Sequence, residues 1–511
     1  MAFNIGIDLG TTNSAMAVYD EESDSTQMIG NYDGDNTTPS AVQILEDDVI
    51  VGDSALGQRV RYPDRTFTRT KPDMGTDEED LPERYTIDGT TYPPQRIGGY
   101  ILEKLKTDAE DAQGEDVNGA IVTVPYYFGE KEREATKEAA RFADLNVFKV
   151  LNEPTAACFA YGYESGEDET LLVYDLGGGT FDVTVVEVED DKVEAKTSNG
   201  DKELGGENFT DELYEYVRKE LMDRGASDPN ENEHDRAELR EEVNETKEKL
   251  STRSDYAVNY RADDFYEVEI TQEKFQELTA ELVDRTLDII DELFAEGNHG
   301  YELDDIDKVL MVGGSTRMPH VREAVEEKFG MEPATDANPD EIVARGAALE
   351  AATYDPDIDD GEDSGLVPTD DVLSHSLGVE AHVEDGPNKF DPILKKDTFL
   401  PDKNTKAYTN PTDEVRTLIC RVLEGEHELA DHDENDQLGE FHLKDVPPNT
   451  TLDVEFFIKD DGTLEVSAEA RSKDIEGGIT IEDGIGLTEE ELDEIEDETQ
   501  DYEPRAIASE D

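Results

Sequence analysis

The stretch DLGTTNS (residues 8–14) follows a short apolar run, IGI (5–7), and the stretch DLGGGTFD (175–182) lies between the apolar run LLVY (171–174) and the alternating run VTVVEV (183–188). An apolar strand, a glycine turn and a second strand predict a β-hairpin whose tip exposes backbone N–H groups. Glycine allows such a tip to adopt a positive φ and to approach a phosphate closely. One such loop is usually an ordinary turn. Two of them predict an internally duplicated fold that holds a nucleotide triphosphate from both sides.

The polar residues of the two loops have the chemistry that a phosphate site needs. The aspartate that ends each first strand, Asp8 or Asp175, is able to hold a hydrated divalent cation. The threonine hydroxyls are able to reach phosphate oxygens or a water molecule. The candidate phosphate-binding residues are therefore Gly10, Thr11, Thr12, Asn13, Gly177, Gly178, Gly179 and Thr180.

A third segment, VLMVGGSTRMP (residues 309–319), predicts a buried strand that enters a glycine turn, with a helix beginning near Pro319. Small residues in this turn leave room for a flat base or a ribose, and the Arg317 guanidinium is able to stack on the base. The candidate residues here are Gly313, Gly314, Ser315 and Arg317. The sequence contains neither the G-x-x-x-x-G-K-[ST] loop nor a G-x-G-x-x-G turn after a strand, which excludes those two nucleotide-binding motifs.

These segments resemble those of the DnaK-type, seventy-kilodalton heat-shock chaperone family, within the actin-like ATPases. The resemblance covers nearly the whole chain, and its second half separates this family from actins and sugar kinases, which share only the phosphate loops. Its further motifs are IVTVPYYF (121–128), NEPTAA (152–157), NGD (199–201), LGGE (204–207), NPDE (338–341), SLGV (376–379), VLEGE (422–426) and DGTLEVSA (461–468). The resemblance implies an α/β actin-like (ribonuclease-H-like) two-lobed ATPase domain, followed by an all-β sandwich domain and a short C-terminal helix.

The resemblance also implies roles for individual residues. Asp8 and Asp175 would hold Mg²⁺ through its waters, with Asp182 beside the ion, and K⁺ would lie near the phosphates. Lys71, Glu153, Thr180 and Asp175 would be catalytic: Lys71 approaches the γ-phosphate, Glu153 orients the attacking water, and the Thr180 hydroxyl lies nearest to that water. Lys247 and Ser251 would contact the ribose and base, and Asp340 would also bind the nucleotide. The sequence departs from the family pattern at Pro72 and Asp73, which follow the lysine, and at Asn244, where an acidic residue is usual.

Changes in composition along the chain predict its domain boundaries. Residues 1–354 form the ATPase domain, and the acidic, unpatterned residues 355–371 form a linker. Residues 372–485 contain short strands separated by turn residues and form the peptide-binding sandwich. Residues 486–511 form a short helix and an acidic tail, and the helical lid of the family is expected to be absent. Val379, Tyr408 and Leu418 match the family's peptide groove, although apolar residues at these positions are also typical of a sandwich core.

The formal net charge of −86 results from 131 acidic and 45 basic residues, and only 13 of the acidic residues lie in 483–511. An acidic tail therefore does not explain the charge, and recurrent buried strands argue against disorder. We expect a folded protein with a solvated acidic surface, as in a salt-saturated cytoplasm, where molar salt shortens the screening length to roughly 3 Å. Nucleic acid and anionic membranes are excluded as partners by the same charge.

The remaining sequence features predict a cytoplasmic protein. Cys158 and Cys420 lie in apolar stretches of different domains, so we expect buried thiols rather than a disulfide. The sequence shows no basic leader, and no apolar stretch approaches the 18 residues of a membrane span.

The function predicted from these features is that of an ATP-dependent chaperone with slow ATP turnover, which holds extended apolar segments of unfolded proteins. A J-domain co-chaperone and a nucleotide exchange factor are the further partners that the resemblance implies. The alternative is a nucleotide-sensing holdase or adaptor with little turnover and weak interdomain coupling. It is favoured by VPTD (367–370) in the linker, where the family has leucines.

Overall fold

The computed structural model describes residues 2–46, 48–165, 168–189, 192–261, 264–295, 300–334, 338–354, 372–383, 386–409, 416–432, 434–459, 462–471 and 476–481. The chain divides into two compact units, which are residues 1–127 with 138–369, and residues 128–137 with 370–511. The predicted linker (355–371) and the predicted C-terminal helix and tail (486–511) lie outside the described residues, and the domain boundaries stay a prediction.

The first lobe of the first unit is built on a sheet whose central strand, β1, ends at Asp8. In this sheet the order is β11-β10-β1-β2-β3, with β4 also paired to β2; β10 and β11 are parallel to β1, and β2 is antiparallel to it. Two small sheets, β6-β5-β7 and β8-β9, complete the lobe. The strands are β1 Phe3–Asp8, β2 Asn13–Asp20, β3 Ser25–Met28, β4 Thr37–Pro39, β5 Ala41–Ile44, β6 Val49–Val51, β7 Thr66–Thr68, β8 Thr86–Ile87, β9 Thr90–Thr91, β10 Val117–Val124 and β11 Val147–Asn152.

The second lobe repeats the same arrangement around β12, which ends at Leu176. Its strands are β12 Glu169–Leu176, β13 Phe181–Glu189, β14 Lys192–Asp201, β15 Asp255–Arg261, β16 Phe265–Thr271 and β17 Lys308–Val312. The sheet order is β14-β13-β12-β17, and Leu310 makes a parallel bridge to Ala334 at the place that β11 occupies in the first lobe. Strands β15 and β16 form a separate hairpin. The recurrence of a hairpin followed by parallel neighbours is the duplication expected of an actin-like fold.

Nine α-helices are described, and they include the amphipathic segments of the sequence. Amphipathic patterns in the sequence at 130–144, 209–221 and 275–294 indicate helices, and the structure forms helices at 130–142, 206–223 and 272–295. The helix expected near Pro319 begins at that residue. The helices are α1 Asp53–Gln58, α2 Pro94–Gln113, α3 Glu130–Phe142, α4 Glu153–Ser165, α5 Gly206–Asp223, α6 Glu233–Leu250, α7 Gln272–Ala295, α8 Pro319–Phe329 and α9 Ile342–Ala352. None of the helices in the described part of the chain has the length and apolar character needed to cross a membrane.

Helices α4 and α9 pack against each other between strands of both sheets, and small residues make this contact possible. A Cβ atom on Gly346 would lie 1.7 Å from the Ala156 carbonyl oxygen, and one on Gly6 would lie 2.1 Å from the Ala348 backbone nitrogen. Backbone therefore meets backbone here, which only glycine permits. Helix α9 thus holds β1 and α4 together beneath the two loops.

The second unit contains a sandwich of two antiparallel four-stranded sheets, as the sequence predicts. Their orders are β19-β18-β21-β22 and β20-β23-β24-β25. Residues in β23 alternate between partly and fully buried along the whole strand, which is typical of a sheet with one face in the core. The strands are β18 Leu377–Val383, β19 Gly386–Leu394, β20 Asp402–Thr409, β21 Arg416–Gly425, β22 Asn435–Val446, β23 Thr451–Ile458, β24 Leu464–Ala470 and β25 Glu476–Ile481.

The two cysteines are free, as expected from the sequence. Cys158 is completely buried in α4, and burial raises the pKa of its thiol. Cys420 is partly buried in β21, and burial raises the pKa of its thiol to about 12. Both thiols therefore remain protonated and unreactive at neutral pH.

Candidate functional site

The two glycine loops meet tip to tip, one between β1 and β2 and the other between β12 and β13. A Cβ atom on Gly178 would lie 2.0 Å from the Thr12 hydroxyl oxygen, and one on Gly179 would lie 3.3 Å from the Thr11 methyl carbon. Within the second loop, Gly177 N donates a hydrogen bond of 3.0 Å to the Thr180 carbonyl. Side chains on these glycines would fill the gap between the lobes, so the loops need glycine in order to face each other.

A cavity of about 630 Å³ lies between the lobes, within the range of roughly 300–1,000 Å³ that is typical of cofactor sites. Most of the predicted nucleotide-site residues line it. They are Asp8, Gly10, Thr11, Thr12, Asn13, Lys71, Glu153, Asp175, Gly177, Gly178, Thr180, Lys247, Ser251, Gly313, Gly314, Ser315, Arg317 and Asp340. Gly179 is not part of the lining and instead faces Thr11 and Pro72. Asp182 is also outside the lining and is 3% exposed.

Two aspartates, Asp8 and Asp175, line one end of the cavity, and a third, Asp182, lies behind them. Burial, together with Glu153, raises the pKa of Asp8 to about 7 against the opposing effect of Lys71. Burial, Glu153 and Asp8 likewise raise the pKa of Asp175. Asp182 lies directly opposite Asp175 in the β12–β13 ladder, where like charges destabilise the pair. The raised pKa values of Asp8 and Asp175 thus result from burial and from neighbouring carboxylates, which Lys71 offsets only in part.

A hydrated divalent cation fits this end of the cavity. Among the described residues, no group of three or more His, Cys, Asp or Glu side chains is placed to ligate a metal directly. Mg²⁺ keeps several of its waters and is usually held by one or two carboxylates together with phosphate oxygens. Asp8 and Asp175 match that requirement, and their surplus negative charge is what such a cation would neutralise.

Lys71 and Glu153 form an ion pair in the cavity wall, with 2.5 Å between Lys71 Nζ and Glu153 Oε1. Glu153 is the first residue of α4, directly after β11, and Lys71 begins a short 3₁₀ turn at residues 71–73. The residue after the lysine, Pro72, suits the first turn of a helix. Asp73 accepts hydrogen bonds from Arg84 and from the Tyr85 hydroxyl, the latter at 2.7 Å. The departures from the family pattern therefore build a fixed turn that places Lys71 in the cavity.

The opposite end of the cavity is formed by α6 and by the turn that follows β17. Lys247 Nζ donates to the Gly206 carbonyl at 3.0 Å and to the Thr210 hydroxyl at 2.9 Å, and burial lowers the pKa of this lysine. Arg317 pairs with Asp340, with 2.5 Å between Nη2 and Oδ2. Its guanidinium plane is therefore fixed at the rim of the cavity, where stacking on a base stays a prediction.

Several residues that line the cavity were missed by the sequence reasoning, namely Thr37, Thr252, Arg322 and Val343. Thr37 is brought in by β4, which pairs with β2 opposite Ala15. Arg322 lies in the first turn of α8, close in sequence to Arg317, and this spacing is the only sequence signal that pointed to it. Thr252 and Val343 belong to none of the motifs recognised in the sequence.

The predicted peptide-binding residues lie at the core of the sandwich and at its edge. Val379 is 3% exposed and belongs to the core between the sheets, while Tyr408 and Leu418 are partly buried and pack against that core. The Tyr408 hydroxyl donates to Asp391 Oδ2 at 2.9 Å, and Lys406 Nζ lies 2.6 Å from Asp391 Oδ1. A role for these residues in peptide binding stays a prediction.

Comparison with known proteins assigns the chain to a family. The family model described as Hsp70 protein matches residues 4–509. In two strains of Halobacterium salinarum, the relative named "Chaperone protein DnaK" is 38% identical over 509 residues, which cover 97% of this chain and 77% of the relative. These relatives come from a halophile, in agreement with the acidic composition. On these grounds, the chain belongs to the Hsp70 protein family.

Proposed function

We propose that this protein is an ATP-hydrolysing chaperone that binds extended apolar segments of unfolded polypeptides. The observation that carries the proposal is the cavity between the lobes, where two facing glycine loops, the aspartates and the Lys71–Glu153 pair come together. Membership of the Hsp70 family and the name of the halophilic relatives support it.

In the proposed reaction a water molecule attacks the γ-phosphorus of ATP, and the bond to the oxygen that bridges the β- and γ-phosphates breaks. The loop N–H groups and the Thr11 and Thr12 hydroxyls position the phosphates. Glu153 accepts a hydrogen bond from the attacking water and orients it, and Thr180 holds the same water from the second loop. The Lys71 ammonium moves partly away from Glu153 and stabilises the negative charge that develops on the transferred phosphoryl group.

When bound, Mg²⁺ supplies charge neutralisation at the phosphate oxygens. Asp8 and Asp175 would hold its waters, and Asp182 would add negative charge behind them. Because the two carboxylates must be ionised to do so, their raised pKa values predict that binding of the metal–nucleotide complex releases protons. K⁺ beside the phosphates and a slow turnover also belong to the proposal.

In the second unit, we propose that extended peptides bind along the sandwich by adding strand-like hydrogen bonds and by placing an apolar side chain near Tyr408 and Leu418. A J-domain co-chaperone and a nucleotide exchange factor are the proposed protein partners. The cytoplasm is the proposed location.

The experiment is steady-state phosphate release in molar KCl, with Mg²⁺ or EDTA and with or without an unfolded client peptide. We expect slow release that requires Mg²⁺ and increases with the peptide. Asp8→Asn should abolish the response to Mg²⁺, whereas Asp108→Asn, at a buried aspartate of the same unit that does not line the cavity, should keep it. Nucleotide binding without release would instead support the nucleotide-sensing holdase.

A further inference from the structure

We propose that Arg69 is a positioning residue for ATP hydrolysis, because its ion pair with Glu207 fixes the Lys71 turn of the first lobe against the phosphate loop of the second. This inference rests on the proposed function, in which Lys71 stabilises the transferred phosphoryl group.

Arg69 lies two residues before Lys71 and has an unusual backbone conformation. Its φ is 58°, a value that residues other than glycine adopt rarely and at some cost in energy. Its carbonyl accepts a hydrogen bond of 3.2 Å from Arg84 Nη2. The conformation turns the Arg69 side chain across the cleft, where Nη1 lies 3.3 Å from Glu207 Oε2.

Glu207 is fixed to the second glycine loop through its backbone. Its N–H donates to the Gly178 carbonyl at 2.8 Å, and the N–H of Gly206 donates to the Gly177 carbonyl at 2.9 Å. The Glu207 side chain is 15% exposed and faces the cavity. A side chain that pairs with Glu207 is therefore kept at a fixed position relative to the loop that positions the phosphates.

The Glu207 carboxylate remains ionised because cations surround it. Burial raises its pKa, but Arg69, Arg240 and Lys247 outweigh burial and leave the pKa below its ordinary value. Arg240 Nη2 lies 2.6 Å from Glu207 Oε2, and Arg240 Nη1 lies 2.5 Å from Asp211 Oδ1. Glu207 is therefore a fixed anion. Among the described residues, Arg69 is the only cation of the first lobe that pairs with it.

The short distance along the chain between Arg69 and Lys71 makes this contact relevant to the reaction. Pro72, which follows Lys71, has its ring next to Gly179, since a Cβ atom on Gly179 would lie 3.6 Å from Pro72 Cγ. Residues on both sides of Lys71, Arg69 before it and Pro72 after it, therefore contact the second lobe. A displacement of about 1 Å at a catalytic group lowers rates by up to roughly a hundredfold, so release of one end should affect the transfer step.

A second contact across the cleft provides a matched control. Arg59 pairs with Glu241 of α6, and the neighbouring Val60 carbonyl lies 2.8 Å from His234 Nδ1. This contact also joins the two lobes, but neither Arg59 nor Glu241 lines the cavity or adjoins the Lys71 turn. Its loss should loosen closure of the lobes without moving Lys71.

The test compares Arg69→Ala, Arg69→Lys and Arg59→Ala in the full chain, with kcat and KM for ATP measured in molar KCl. We expect Arg69→Ala to lower kcat about tenfold with KM changed less than about threefold, the pattern of a lost transition-state contact. Arg69→Lys should recover most of the loss. Arg59→Ala should leave kcat unchanged while it accelerates dissociation of a fluorescent ADP analogue.

A second measurement separates this inference from the proposed function. Hydrogen exchange in residues 66–76 should slow when Mg²⁺ and ADP are added to the wild type, and it should not slow in Arg69→Ala. If the wild type hydrolyses no ATP, the proposed function fails, and the exchange measurement still decides whether Arg69 fixes the turn. An unchanged kcat in Arg69→Ala, or an equal loss in Arg59→Ala, would overturn the assignment.

Discussion

The nucleotide cleft and the β-sandwich differ in how the structure places the residues that the sequence selects. In the cleft, residues from segments far apart in the chain converge on one cavity. In the sandwich, Val379 is part of the core, and Tyr408 and Leu418 pack at its edge. A loop that must approach a phosphate needs particular residues, whereas an apolar position satisfies a core and a peptide groove equally well. A motif that reflects backbone requirements therefore predicts a binding site more specifically than a pattern of apolar residues does.

The sharpest test of the cleft is Lys71→Ala. We expect ATP binding to persist and turnover to fall by on the order of a hundredfold, because one preorganised contact to the transition state is lost. The measurement is phosphate release in molar KCl at saturating ATP. Lys104→Ala, which removes a lysine paired with Asp108 on α2 outside the cavity, is the control and should retain activity. Unchanged turnover in Lys71→Ala would show that the lysine has no role in transfer.

The next effect compares a histidine from each region: His320 is buried, whereas the side chain of His375 is 33% exposed. Burial lowers the pKa of His320, in the cleft unit, from 6.5 to about 4. Its stabilising contribution is therefore complete above pH 6.5 and is lost as the pH falls towards 4, by at most roughly 3 kcal/mol. For His375, in the sandwich unit, burial lowers the pKa but Glu424 outweighs it and raises the pKa overall. Its contribution is present below the ordinary pKa and is lost as the pH rises through the raised one.

Acidification from pH 7.5 to pH 5 should therefore destabilise the cleft region of the wild type relative to that of His320→Gln. Asp8 and Asp175 act in the opposite direction, because carboxyls with raised pKa values stabilise the fold as they become protonated, and they do so equally in both proteins. The measurement is urea denaturation at both pH values with pulse proteolysis, in which fragments from each region are identified by mass. His320→Gln retains a group able to hydrogen-bond to Thr279 and should lack the part of the acid-dependent loss of stability that the histidine causes. Equal acid sensitivity in His320→Gln and in the wild type would contradict the assignment to this histidine.

A pair of truncations separates core from groove within the sandwich. Val379→Ala should lower the free energy of unfolding by about 2 kcal/mol, since Val379 is buried among core side chains. Leu418→Ala, at a partly buried position, should cost less stability but weaken binding of a fluorescent apolar peptide about tenfold, or about 1.4 kcal/mol. Both quantities are measured in molar KCl. If peptide affinity changes only in proportion to stability, Leu418 is simply part of the core.

The smallest effect concerns surface charge. Arg471 pairs with Asp453 at the surface of the sandwich, with 2.7 Å between Nη2 and Oδ1. Arg471→Ala should lower the melting temperature slightly at low salt and not measurably in molar KCl, because salt screens exposed pairs.

The wild type should nevertheless become more stable from roughly 0.5 M KCl upwards, since repulsion within a chain of net charge −86 is screened as well. A melting temperature that does not change with KCl would contradict the halophilic interpretation.

The sequence predicts this fold well where local chemistry dictates it. The strand that ends at Asp8, the strand that ends just after Asp175, the glycine turns and the amphipathic helix at 272–295 each follow from short-range patterns. The Arg69–Glu207 pair does not, because charged residues at many surface positions look alike and only the folded chain brings these two together. Thr37 enters the cavity through strand pairing, which leaves no trace in its own neighbourhood of the sequence. What escapes prediction is therefore long-range pairing rather than local conformation.

The contact between α4 and α9 has a consequence for how this protein tolerates genetic change. Gly346 touches no nucleotide-site residue in the contacts described, yet it has no space for even a methyl group beside the Ala156 carbonyl. A saturation library should therefore show this position to be as intolerant as the glycine loops. The cause would be steric exclusion rather than chemistry, and a second substitution elsewhere could not restore fitness unless it moved the backbone of α4. Sequence drift in α9 is thus limited by the space between two helices.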